Sequence, residues 1–113
     1  MAFGFELDGE EQLMLQNYEP AVQLFDKAIS LYPVKVISLT DRGYAKHCLG
    51  DYEGAMNDYT RAIQLDSSNS LAYANRAVVY FTLNMQQDAC NDLKKAYSLG
   101  FTNAFSLLPV NCR

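Results

Sequence analysis

The amino-acid sequence predicts an all-α protein, a solenoid in which helical hairpins stack on one another. Apolar and small residues recur three and four positions apart within each segment, as one face of an α-helix requires. The pattern then repeats with a period of about 34 residues, and because a lone helical hairpin cannot bury its own apolar face, copies must stack to share a core. The repeat is clearest in two alanine columns: Ala21, Ala55 and Ala89, then Ala28, Ala62 and Ala96.

Each copy contains two helices, which we name A and B in chain order. Glycine, proline and capping residues separate them, including Gly50-Asp51 between helices and Tyr32-Pro33 and Ser67 to Asn69 between copies. Repeats are expected at about 2–35, 36–69 and 70–103, followed by a stub at 104–113, all within one domain spanning 1–113. The predicted helices cover about 2–15, 18–32, 36–49, 52–66, 70–83 and 86–99.

Two further columns at the same spacing indicate core packing. One is small, with Gly9, Gly43 and Ala77, and the other is large, with Phe25, Tyr59 and Leu93. Small side chains let neighbouring helices approach closely, and the large ones fill the space between them. Asp58 and Asp92 also recur, and we expect them to be solvated beside Arg61 and Lys95, three residues further on. These columns indicate structure and not a binding site.

Charge and hydropathy exclude two classes of function. The chain has 9 Lys and Arg residues scattered among 13 Asp and Glu residues, for a net charge of −4, so the basic face of a nucleic-acid binder is missing. Its longest apolar runs, such as Ala77 to Phe81, are a few residues long, whereas a membrane-spanning helix needs roughly 18 or more. We therefore expect neither nucleic-acid binding nor membrane insertion.

Motifs for catalysis are missing from the sequence. His47 is the only histidine, and its neighbour Cys48 would point about 100° away on a helix, so the two do not form a nucleophile and base pair. The glycines form no phosphate-binding loop, and the three cysteines lack zinc-site or disulfide-framework spacing. We expect no enzyme, no cofactor, no metal and no disulfide. The odd cysteine count favours a reducing, cytoplasmic compartment.

The best copies resemble the tetratricopeptide repeat family. The resemblance rests on Asp41-Arg42-Gly43-Tyr44, Gly50 through Ala55, Tyr59 and Ala62 through Asp66, then Tyr73 through Ala77, and it covers about 2–103. The first copy departs from the family pattern at Asp8 and Gln12. The resemblance implies a right-handed superhelix of three helix-turn-helix repeats with a short C-terminal cap, whose concave face is lined by A helices and binds a peptide or partner helix.

Carrying that resemblance onto the A helices gives a candidate groove that is acidic at one end and aromatic at the other. We expect it to bind a basic or amphipathic segment of a partner protein, since complementary charge steers encounter. Tyr44 and Phe81 are the expected apolar anchors. The candidate groove residues are Glu6, Glu10, Thr40, Asp41, Tyr44, His47, Asn75, Val78 and Phe81.

One subclass of the family holds the C-terminal carboxylate of heat-shock chaperones with a Lys/Arg and Asn clamp. Asn75 matches one clamp position, but Thr40, Tyr44, Phe105 and Pro109 stand where the remaining clamp residues would be. A carboxylate needs cationic donors, and these residues supply none. We therefore predict that the chaperone clamp is absent.

Two alternatives to a groove-binding module remain open. The apolar residues Phe101, Phe105, Leu107 and Leu108 follow the third repeat, and a stub of one to two turns covers only part of the last B helix. Residual apolar surface there predicts self-association, so the repeats can serve an assembly role as a homodimer or longer array. The other alternative is that the repeats belong to a larger protein and position a domain elsewhere.

Overall fold

A computed structural model of the chain describes residues 2–31, 34–108 and 112, apart from the side chains of residues 2–7 and 105. The all-α prediction is confirmed, and each observed helix that can be compared ends one residue before its predicted end. Helix A of each copy is α1, α3 or α5, and helix B is α2, α4 or α6. The helices are α1 (Ala2–Met14), α2 (Tyr18–Leu31), α3 (Val36–Cys48), α4 (Tyr52–Leu65), α5 (Ser70–Thr82), α6 (Gln86–Ser98) and α7 (Ala104–Leu107).

The helices form two layers. Each A helix packs against its own B helix, and each B helix packs against the next A helix. Among the described residues, α1 also touches α3, and α3 touches α5, more closely than neighbouring B helices approach one another. The A layer is therefore the inner, concave side of the solenoid, and short turns make α3 and α5 run parallel.

The turn between helices A and B uses one left-handed residue in every repeat. Gln16, Gly50 and Asn84 occupy the same position in the three repeats and have φ angles of 61°, 83° and 60°. This conformation lets the next amide reach back to the helix end, where the N–H of Asp51 donates to the carbonyl of Lys46 at 2.8 Å. Asp51 then caps α4 by accepting from the Gly54 N–H at 3.0 Å, as predicted.

The closest approach between layers occurs where the small column faces the large one. A Cβ atom built on Gly43 would lie 2.7 Å from Cε1 of Tyr59, and one on Gly9 would lie 3.0 Å from Cε1 of Phe25. Both rings are fully buried. In the third repeat Leu93 replaces the ring, and Ala77 replaces the glycine. An aromatic residue on helix B therefore requires glycine on helix A, whereas leucine leaves room for a methyl group.

Gly43→Ala should lower the free energy of unfolding by about 1–3 kcal/mol, because the new methyl group overlaps the Tyr59 ring. The same change should cost much less in a Tyr59→Leu background, which reproduces the Ala77 and Leu93 pair. Urea unfolding followed by circular dichroism, arranged as a double-mutant cycle, measures the difference. Equal costs in both backgrounds would show that the ring does not select glycine.

The prediction that Asp58 and Asp92 are solvated is wrong. Asp58 is 4% exposed and Asp92 is 6% exposed. Each accepts two hydrogen bonds from an arginine sixteen residues earlier, on the A helix of the same hairpin. Arg42 donates to Asp58 at 2.9 and 2.7 Å. Arg76 donates to Asp92 at 2.7 and 2.8 Å. The antiparallel hairpin brings these residues together, so the relevant partner lies across the turn and not three positions along the helix.

The array closes at its C-terminal end with α7, which packs on α6. Ala104 and Leu108 are buried in a cluster with Leu93 and Ala96. The expectation that no disulfide is present is contradicted, because Cys90 of α6 is joined to Cys112 with their Cα atoms 5.7 Å apart. The two cysteines are 22 positions apart in the sequence.

Candidate functional site

Two of the predicted groove residues present large apolar side chains to solvent on the A layer. Tyr44 of α3 and Val78 of α5 are each 44% exposed. They lie one repeat apart, so they occupy the same place in successive copies, and Glu10 of α1 occupies it in the first. Asp41 and Asn75 form a second pair at this spacing, and both are half-buried.

Other predicted groove residues have little free surface. Thr40 is buried, and its hydroxyl donates to the carbonyl oxygens of Val36 and Ile37 at 3.0 Å each. Phe81 packs against the core cluster around Leu93, so it supports the C-terminal repeat as well as facing outward. The His47 ring contacts the Tyr52 ring at a tilted angle, with the centroids 5.6 Å apart. The side chain of Glu6 lies outside the described residues.

Sequence reasoning missed two apolar residues on the same face. Ile37 of α3 is 55% exposed and Leu71 of α5 is 52% exposed. They also lie one repeat apart, and each precedes Tyr44 or Val78 by seven positions on its own helix. The repeat spacing could have indicated them, because an apolar column that the core does not bury lies on the surface. We call Ile37, Tyr44, Leu71 and Val78 the apolar stripe.

Tyr44 is held in place by two neighbours. Its ring meets that of Tyr18 edge to face, with a centroid distance of 6.4 Å. Hydrogen bonding to the exposed Cys48 thiol raises the pKa of both the Tyr44 and Tyr18 phenols, so the three groups lie together at one end of α3. Both phenols therefore stay neutral at physiological pH, and Tyr44 offers an apolar ring with a polar tip.

The cations of the A helices all point away from the apolar stripe. α1 contains no lysine or arginine, and α3 and α5 together contain only Arg42, Lys46 and Arg76. Arg42 binds Asp58 and also donates to Asp26 at 2.7 Å, while Lys46 lies 3.4 Å from Asp58. Arg76 binds Asp92. All these partners lie on B helices, so carboxylates are the only charged side chains that the described A helices leave on the concave side.

Comparison with known proteins supports the repeat assignment. A family model described as a TPR repeat matches residues 43–84. The second TPR domain of human RPAP3, solved in complex with the HSP70 peptide SGPTIEEVD, is 27% identical; the alignment covers 95% of this chain and 91% of that one, with a TM-score of 0.86. Residues 43–84 therefore match a tetratricopeptide repeat, and the chain has the fold of TPR domains.

Other TPR structures share its fold. The TPR domain of Arabidopsis OM64 is 23% identical over 95% of this chain and 93% of that chain, with a TM-score of 0.88. The first TPR domain of human RPAP3 is 24% identical over 96% and 87%, also with a TM-score of 0.88. Among curated protein sequences, none matches this chain.

The part of the chain that the structure describes contains no group of three or more His, Cys, Asp or Glu side chains that could hold a metal ion together. None of its described helices is long and apolar enough to cross a membrane.

Beneath α3 of the TPR array lies a buried phenol. The Tyr59 hydroxyl has no hydrogen-bond partner among the described residues. Burial raises the pKa of this phenol well above its ordinary value, and the nearby Cys48 and Asp58 raise it further. An unpaired buried hydroxyl costs about 1–3 kcal/mol. The Tyr59 ring fills the space against Gly43, but burial of its unpaired hydroxyl lowers the free energy of unfolding.

Tyr59→Phe should raise the free energy of unfolding at pH 7 by about 1 kcal/mol, because it removes only the unpaired hydroxyl. The folded-state pKa of Tyr59 exceeds its unfolded value of about 10, so the stability linked to its protonation is complete below pH 10 and is lost as the pH rises above it. The variant should therefore lose less stability above pH 10. Unfolding of the wild type and the variant side by side at several pH values tests this. A destabilised Tyr59→Phe would mean that the hydroxyl has a partner.

Proposed function

We propose that the concave A layer binds a segment of a partner polypeptide, one that is basic or amphipathic, without catalysing a reaction. The observation that carries this proposal is the apolar stripe, which stands on the surface at the repeat spacing and is not needed by the core. Exposed aromatic and aliphatic side chains that cluster on a concave surface are typical of binding sites. The helices behind the stripe are fixed by the buried contacts of the two layers, so the surface is preorganised.

Charge supports a preference for a basic ligand. Glu10 belongs to the A layer, while Arg42, Lys46 and Arg76 are engaged with aspartates of the B layer. The peptide bound by the second TPR domain of human RPAP3, SGPTIEEVD, ends in acidic residues. Such a peptide would meet carboxylates here without a cation to bind its terminus. We infer that this TPR array and the RPAP3 domain share a fold but select ligands of opposite charge.

Selection from a displayed library of random 16-residue peptides tests the proposal. Peptides retained by the wild-type protein should carry an excess of Lys and Arg. Tyr44→Ala should weaken a retained peptide about tenfold, because an exposed aromatic anchor is lost. Glu10→Lys should weaken the same peptide several-fold, and less so at high salt.

The matched control is Leu65→Ser, which changes an exposed residue of α4 outside the A layer and should leave binding unchanged. The synthetic peptide SGPTIEEVD is the contrasting probe. Circular dichroism must first show that all variants remain helical. Retention of SGPTIEEVD, or retention of basic peptides that is unaffected by Tyr44→Ala, would refute the proposed site.

A second candidate is assembly through the C-terminal end. Tyr97 of α6 is 48% exposed and Leu107 of α7 is 54% exposed, so the last hairpin presents apolar surface where the stacked repeats stop. We expect sedimentation velocity over a wide concentration range to detect reversible self-association. Changing both residues to serine should abolish it. A protein that stays monomeric at all concentrations would exclude this role.

A further inference from the structure

We propose that the ligand is an amphipathic α-helix of about three turns that lies along the groove between α3 and α5. This inference rests on the proposed function, since it specifies the conformation and direction of the segment that the concave face binds. It is carried by the arrangement of the apolar stripe, by the neighbouring positions on the same face, and by the distribution of charge around them.

The apolar stripe runs along two parallel helices and not across the array. Ile37 and Tyr44 are seven residues apart on α3, and Leu71 and Val78 are seven apart on α5, which places each pair about 10 Å apart along its helix. Packed helices lie about 8–10 Å from each other. The four side chains therefore mark the apolar corners of a nearly square area, and the half-buried Asp41 and Asn75 lie between the corners on their own helices.

The pattern continues in the same direction for one more turn. Cys48 and Thr82 follow Tyr44 and Val78 by four residues, and both are exposed. From Ile37 to Cys48 the surface spans eleven residues, or about 16 Å. An α-helix covers that length with about eleven residues, and its own side chains at seven-residue spacing match the corners of the area. An extended strand would cover it with about five residues and would present alternate side chains to opposite sides.

The acidic residues of α1 determine which charged residues the ligand should carry. α1 borders this area and carries Glu10 at the repeat position of Tyr44 and Val78, with Glu11 next to it. α1 has no lysine or arginine. A helix lying on the apolar stripe would therefore face carboxylates along its α1 side. The complementary ligand has apolar residues at positions i, i+4, i+7 and i+11, and lysine or arginine along one flank.

The test uses synthetic versions of the peptides retained in the selection described above. Enriched sequences should show helical spacing of apolar residues, and circular dichroism should detect a gain of helix on mixing. A proline placed at the centre of a retained peptide should weaken binding at least tenfold, because it breaks the helix. An alanine at the same place is the control.

A matched pair of protein variants tests the position of the helix. Leu71→Ser and Leu65→Ser remove the same side chain at nearly equal exposure, 52% and 53%, but only Leu71 belongs to the apolar stripe. Leu71→Ser should weaken binding about tenfold and Leu65→Ser should not. Ile37→Ser should behave like Leu71→Ser, since both mark the same end of the groove.

The outcomes separate this inference from the proposed function. Peptides that bind, require Tyr44 and tolerate the central proline would overturn the helical ligand while the concave binding site stands. Peptides that bind as helices but ignore Leu71→Ser would overturn the position along α3 and α5. A selection that retains no peptide dependent on Tyr44 would overturn the binding site itself, and the helical ligand with it.

Discussion

The contact between Gly43 and the Tyr59 ring sets the geometry on which the rest of the array depends. With only a hydrogen atom at this point, α3 lies directly against a fully buried ring. That distance fixes how far the A layer stands from the B layer, and therefore where each A helix turns its outer face. The apolar stripe is in place because α3 is held from behind. A surface so supported loses little conformational freedom when it binds.

The buried ion pairs connect this packing to the charge of the concave side. Arg42 and Arg76 each form a bidentate pair with an aspartate of the same hairpin, and Arg42 also reaches Asp26 of the preceding one. Breaking such a pair leaves an uncompensated buried charge, so these residues are constrained by stability. The same constraint withdraws every described A-helix cation from the concave side. The charge of the concave side is in this sense a by-product of how the layers are joined.

Much of the fold could be predicted because it is periodic. The regular spacing of several residue columns reveals the hairpins, and glycine and capping residues mark their ends to within one residue. The partners of Asp58 and Asp92 could not be read in the same way, because the local rule favours residues three or four positions away on one helix. Their true partners lie sixteen positions away, across a turn.

The apolar stripe was predicted only in part. Sequence reasoning named Tyr44 and Val78, but it missed Ile37 and Leu71 because an apolar residue on an amphipathic helix is ordinarily assigned to the core. Conversely, Thr40 satisfies its hydroxyl within its own helix, which sequence spacing alone does not reveal. The pairing of Cys90 with Cys112 could not be predicted from the repeat, because Cys112 follows the last repeat and belongs to none of its columns.

The left-handed turn residues imply that the three hairpins are not equally cooperative. Gly50 adopts a positive φ angle without steric cost and Asn84 with little, whereas Gln16 carries a full side chain in that conformation. The first hairpin also has Asp8 and Leu24 where the other two place the bidentate Arg and Asp pair. In an array whose repeats are stabilised by contacts with their neighbours, the repeat with the weakest internal contacts unfolds first. Fraying of this array should therefore begin at α1 and α2 and stop at α3, leaving the groove between α3 and α5 intact in the partly opened state.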